Sequence, residues 1–417
     1  MADDTRSNPF PPTFLWGVSG CGHQTEGNNT NSDTWFLEQQ TPSVFREPSG
    51  LACDSYARWA DDLDLAAGLG LNAYRFSVEW ARVEPSPGVV DEAELDHYEA
   101  IVDGALARGM TPVVTYNHFT NPHWFAARGG FIAADAAERF ADYCARVTSR
   151  FGDRIGYAVT LNEPNLPRVL DWINLPPFVR ELERSTLAAA GATAGAAHYV
   201  VSNVVLPEDY DALEDGLATA HLAARAAITA VRGDLPVGLS LAIMDDVVAP
   251  GASPAARDAK RALCYDRWLD LAAGDDFVGV QNYEQIVFGS DGPLPPADGA
   301  TLNQMHTAVE PSSLAGSVRY AYERGGVPVL VTEHGIAIED DTVRAGFIPP
   351  ALAGLASVIA DGVPVLGYLH WTLLDNFEWV FGYASKLGLV AVDRQTMART
   401  PKPSAAVYAA QVAAYRG

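Results

Sequence analysis

Eight short apolar runs, each followed by a longer amphipathic stretch, constrain this chain more than any other feature. The runs cover residues 14–18, 73–76, 112–115, 156–161, 237–241, 277–281, 328–332 and 366–371. Runs this short and this largely apolar, broken only by single residues such as Arg75 and Gln281, read as strands buried on both faces. The stretches 54–69, 93–108, 133–151, 217–231, 254–272, 312–324 and 350–360 carry apolar residues at three- and four-residue spacing, and 403–415 would close the series. That spacing is the period of a helix with one face on a core. Strands alternating with helices make parallel sheets, and eight repeats predict a closed (β/α)8 TIM barrel. Residues 1–417 show no linker composition, so the expectation is a single barrel domain.

Two of the predicted strands, the fourth and the seventh, end in the same way. Thr160-Leu161-Asn162-Glu163-Pro164 and Val331-Thr332-Glu333-His334-Gly335 each run from an apolar segment to a carboxylate and then to a turn residue. Pro164 cannot donate to a sheet ladder, and Gly335 admits backbone angles that other residues avoid. Both carboxylates should therefore stand where a strand meets a loop, on the face where such barrels place their chemistry. One such glutamate alone reads as a strand-end salt bridge. A pair held on one face is the minimum equipment for cleaving a glycosidic bond.

Composition narrows the partners. A net charge of −24 disfavours nucleic acid and anionic membranes, whose phosphates call for basic surfaces, and suits a neutral small molecule. The stretch from Met1 to Pro12 is polar and acidic, with no apolar core of a signal peptide, and no run of about 18 uninterrupted apolar residues occurs. Cys21, Cys53, Cys144 and Cys264 lie far apart and form no CxxC pair, so free thiols in a cytoplasmic protein without a metal are expected. Two segments resist the barrel pattern. Residues 165–215 hold the Pro176-Pro177 pair, an Ala/Gly-rich run at 188–198 and little periodicity, and read equally as a lid or substrate wall and as a loose surface insertion. Residues 286–308, rich in Gly and Pro, read as a second loop on the same face.

Six ordered motifs resemble glycoside hydrolase family 1, the β-glucosidase family, over nearly the whole chain. They are Phe14-Leu15-Trp16-Gly17 with Gln24-Thr25-Glu26-Gly27, Tyr74-Arg75-Phe76-Ser77, His118 after the third strand, the two glutamate segments, and the string from Gly367 to Trp379. The resemblance implies a retaining mechanism with Glu163 as general acid/base and Glu333 as nucleophile. It implies Arg75 and Tyr283 beside the nucleophile, and Gln24, His118, Asn162, Trp371, Glu378 and Trp379 around the sugar. A gapped match would put Glu284 in the place of Tyr283. The 6-phosphoglycosidase branch presents Ser, Lys and Tyr in this loop to hold a phosphate; here Glu378-Trp379 occupies the neutral-sugar positions, which implies a non-phosphorylated sugar.

The departures from the family pattern fall near the site. His334 replaces an asparagine and would either bond beside the nucleophile or point into the barrel wall. Gln281 also replaces an asparagine. Thr307 stands at the place of an aglycone-wall tryptophan, and Leu387 at that of an aromatic residue. The expectation is a retaining β-glycosidase without cofactor, acting on β-D-glucosides and related fucosides or galactosides. A transglycosidase using the same pair and a non-catalytic sugar-binding barrel are the alternatives, and oligomeric state is left open.

Overall fold

A computed structural model of the protein describes residues 8–416; the first seven residues of the polar N-terminal stretch lie outside these. Eight parallel strands close on themselves in chain order: β1 (Leu15–Ser19), β2 (Ala73–Ser77), β3 (Thr111–Asn117), β4 (Tyr157–Asn162), β5 (Val237–Ala242), β6 (Phe277–Asn282), β7 (Val329–His334) and β8 (Val365–Trp371), with β8 against β1. Each lies within two residues of its predicted span. Leu15, Ala73, Val113, Val159, Phe277, Leu330 and Leu369 fill the barrel's interior, while Val18, Val114, Ala158, Leu239, Val278 and Val331 face the surrounding helices. Apolar burial on both faces is why these runs lack the alternation of a half-exposed sheet.

Two strands depart from strict alternation. Between its contacts with β5 at Val159 and Asn162, β4 carries one residue more than its partner. Between Val331 and Glu333, β7 carries one more than β6. An extra residue of this kind re-aims the side chains that follow it. Thr332 already faces inward, with its hydroxyl on Ser240 Oγ at 2.5 Å. Strict alternation would send Glu333 out among the helices; the bulge brings it in and turns His334 out instead.

Three features differ from the sequence reading. The helix before β8 spans Asp341–Ala360, not 350–360, with Pro349 and Pro350 inside it. Prolines delete helix bonds, and here the burial of Phe347, Ile348, Leu352 and Leu355 offsets that loss. The helix is long and apolar enough to cross a membrane, yet it carries the fully buried Arg344 and packs on the barrel. Residues 165–215 are largely helical, as Leu166–Ile173, Pro177–Ala194 and the start of Tyr210–Val231. Leu187 and Ala190 of this excursion pack with Leu37, Tyr199 and Phe377 in a core of their own beside the barrel mouth. Finally, residues 286–308 are not wholly loop: Gln285–Phe288 pairs in parallel with Asp245–Val248 just beyond β6 and β5.

Candidate active site

Arg75 organises the mouth of the barrel. Its side chain is fully buried at the middle of β2, and every nitrogen finds an acceptor: Nε on Thr115 Oγ1 (3.0 Å), Nη1 on Ser19 Oγ (2.8 Å) and Glu333 Oε1 (2.6 Å), Nη2 on Asn162 Oδ1 (2.6 Å). A buried guanidinium costs much desolvation unless so satisfied. Here it ties the end of β4 to the end of β7.

Gln281 repeats that link from the next strand. Its Nε2 donates to Asn162 Oδ1 (2.6 Å) and to Glu333 Oε1 (2.8 Å), and it lies opposite Glu333 in the β6–β7 register. The Tyr283 hydroxyl donates to the other carboxylate oxygen, Oε2, at 2.5 Å. Glu333 thus receives three side-chain donors. This also decides the position after β6: Tyr283, not Glu284, reaches the carboxylate.

Glu163 sits differently. It follows the last residue of β4 with φ +46°, a left-handed backbone that few non-glycine residues adopt, and its amide is held by Ser240 O at 2.8 Å. No side chain among the described residues donates to its carboxylate within hydrogen-bond distance. Burial pushes its pKa well above the usual range, the Glu333 charge pushes the same way, and Arg75 only partly opposes them. Burial also raises Glu333, and Arg75 and the Tyr283 hydroxyl pull it back only in part. Of the two, Glu163 keeps its proton to higher pH.

The remaining predicted residues gather at the same end of the barrel. Gln24 Nε2 donates to Glu378 Oε2 (3.1 Å) and to the Phe377 carbonyl (2.9 Å). Burial and the Glu333 charge push Glu378 up to about 8. His118 stacks on Trp371 with ring centres 5.7 Å apart and faces Trp379 at 6.1 Å; burial and Arg75 keep it neutral. Gln24 Oε1, His118 Nδ1 and Asn162 Nδ2 are buried with no partner among the described residues. Orphaned buried polar atoms are costly, and three together around one carboxylate pair mark a place where a polyhydroxylated ligand would supply the bonds. Among the described residues no three His, Cys, Asp or Glu side chains gather as ion ligands.

The departures also find places. His334 points into the wall: its Nδ1 lies 2.9 Å from Tyr368 Oη, its ring stacks on Phe347 at 4.9 Å, and burial lowers its pKa to about 3. Leu387 packs behind Trp371 with Cys21 and Ala337, and the partly buried Met305 joins Tyr283 and Trp379 at the rim of that group. Sequence reasoning missed Gln281 as a bridge and Met305 as a rim residue. Gln281 carried a signal, since it ends an apolar strand beside the one bearing Glu333.

The family model described as "Glycosyl hydrolase family 1" matches residues 6–200 and 296–416. The chain belongs to glycosyl hydrolase family 1. It is an enzyme of the glycosidase class. The match skips residues 201–295, which hold β5, β6 and Tyr283, so the place of Tyr283 rests on its bond to Glu333. The β-glucosidase of an Agrobacterium species is 32% identical, the alignment covering 98% of this chain and 96% of the relative. The thermostable β-glucosidase B of Thermobispora bispora is 31% identical over 96% and 89%. A crystal structure of the β-glycosidase BGL167 superposes with a TM-score of 0.91 at 45% identity, covering 97% of both chains.

Proposed function

We propose that the protein is a retaining β-glucosidase that acts on non-phosphorylated β-D-glucosides, and on fucosides or galactosides with the same ring face. The observation that carries the reading is the asymmetry of the pair: three donors on Glu333, none on Glu163. Glu333 is the nucleophile. Arg75 and Tyr283 favour its ionised form, and with Gln281 they aim it at the anomeric carbon. Glu163 protonates the departing oxygen, then takes the proton of the water that releases the sugar. Asn162 Nδ2, Gln24 Oε1 and His118 accept or donate at the sugar hydroxyls. Trp371 and Trp379 offer flat faces to its C–H side.

Glu378 supports the choice of a plain sugar, though not by charge alone. With a pKa near 8 it is largely protonated at neutral pH and can donate as well as accept. What argues against a phosphosugar is that this loop offers Glu378 and Trp379 where a phosphate needs cations and hydroxyls. Neither the site nor the relatives support a transglycosidase or a non-catalytic barrel. We also read the protein as cytoplasmic; its four cysteines, all buried and unpaired, support that.

The test is hydrolysis of 4-nitrophenyl β-D-glucoside with NMR on the first-formed sugar. β-Glucose is expected; α-glucose, or no turnover, would overturn the reading. Tyr283→Phe is expected to lower kcat roughly 10- to 100-fold, the worth of one hydrogen bond to a carboxylate. It should also shift the acid limb of the pH profile upward, because the lost hydroxyl lowers the Glu333 pKa. An unmoved acid limb would remove Tyr283 from this role.

A further inference from the structure

Behind Trp379 lies a buried pair that the chemistry above does not use. His23 stands on the short helix Gly22–Thr25 after β1, and Glu38 ends the helix Asp33–Glu38. Both side chains are wholly buried, and His23 Nε2 lies 2.9 Å from Glu38 Oε1. The other carboxylate oxygen accepts from Ser49 N (2.8 Å) and Ser49 Oγ (2.7 Å). Three bonds therefore fix Glu38, and Glu38 fixes the imidazole.

The imidazole in turn meets the indole. The His23 and Trp379 rings are parallel within 5°, with centres 5.7 Å apart, and Phe377 meets His23 edge-on at 6.1 Å. Burial alone would discharge His23. Glu38, hydrogen-bonded and charged, works against that, helped by Glu79 and Asp33, and the net effect raises its pKa. The more readily the ring takes up a proton, the more strongly it is drawn to the indole face it lies on, and burial keeps water from weakening that attraction. Trp379 also needs holding. Its φ is +47°, a conformation that a bulky side chain adopts only where the surroundings impose it.

We infer that the His23–Glu38 pair is a positioning device for Trp379, setting the angle of the indole and through it the affinity for the sugar ring. The inference rests on Trp379 facing the sugar, as in the function proposed above. His23 touches no substrate; it acts through the tryptophan. The pair should therefore govern binding and leave the chemical step nearly untouched.

The experiment measures glucose affinity by calorimetry alongside kcat and KM for 4-nitrophenyl β-D-glucoside. The proteins are the wild type, Glu38→Gln, His23→Phe, Trp379→Phe, and Glu38→Gln combined with Trp379→Phe. Loss of the Glu38 carboxylate that holds the imidazole predicts that Glu38→Gln weakens glucose binding and raises KM roughly fivefold, with kcat within about twofold. His23→Phe, which keeps a ring against the indole without the ion pair, should do the same and stands in if Glu38→Gln does not fold. In the Trp379→Phe background the Glu38→Gln effect should shrink below roughly twofold, because residues acting as one unit are not additive. An equal effect in both backgrounds, a fall in kcat matching the rise in KM, or unchanged glucose affinity would overturn the inference. Glucose binding does not need turnover. A wild type that binds glucose without hydrolysing the glucoside would sink the proposed function alone, and the affinity series would still decide the role of His23 and Glu38.

Discussion

Replacing Glu333 with glutamine is expected to lower kcat on the order of 10⁴-fold or more, as removal of a covalent nucleophile does in other enzymes. An amide is nearly the carboxylate's shape but is a poor nucleophile toward an anomeric carbon. The loss has a second part. Arg75 is buried, and Glu333 is the charged partner at 2.6 Å. Removing one member of a buried pair leaves the other uncompensated, at about 3–5 kcal/mol. Glutamine keeps an oxygen to accept from Arg75 and so limits this cost; alanine would not, and should lose clearly more thermal stability. Activity and melting temperature measured together separate the two effects. On the wild type, a 2-fluoro glucoside with a good leaving group should stop turnover and add one sugar to the peptide containing Glu333. Label on any other residue, or a Glu333→Gln protein that keeps a tenth of its activity, would refute a covalent intermediate there.

The architecture was legible because it depends on pattern. Eight runs, apolar on both faces, admit few folds, and their limits moved by no more than two residues. The excursion after β4 was not legible, because its helices bury small residues such as Ala190 in a local core, and an alanine-rich helix has weak periodicity. The helix holding Pro349 and Pro350 was misread for a simpler reason: local propensity argued for a break, and burial of its neighbours outweighed it. The site residues were legible as types and positions, but their directions were not. Read by alternation from Leu330 and Thr332, Glu333 belongs outside the barrel and His334 inside. The bulge in β7 reverses both, and no single residue announces it. The same bulge explains why a histidine is tolerated beside Glu333: it lies against Phe347 and Tyr368, outside the barrel's interior. Thr307 and Leu387 mark where familiar rings are missing. Only the fold shows Met305 at the rim and Leu387 behind Trp371.

The second large effect belongs to Glu163 and depends on the substrate. Its raised pKa, set by burial and by the Glu333 charge, keeps a proton available at neutral pH. Because the two carboxylates are coupled, they titrate in two steps that belong to the pair. The lower step ionises Glu333 and switches activity on as pH rises. The upper step removes the Glu163 proton and switches it off. Glu163→Ala should abolish the alkaline limb and leave the acid limb in place. It should also slow unactivated glucosides by about 10²–10⁴-fold, the usual worth of a positioned acid. A dinitrophenyl glucoside leaves without protonation, so its first step should be nearly unaffected. Its second step should then limit the rate, because no base remains to activate water. Azide needs no base and can enter the space vacated by the side chain. Added azide should therefore raise turnover of the dinitrophenyl substrate and give β-glucosyl azide, while leaving the wild type unchanged. The β configuration matters, since it requires attack on a sugar still bound through Glu333. An α-azide, or an alkaline limb that survives the substitution, would mean that the proton comes from elsewhere and that the asymmetry between the two carboxylates has another purpose.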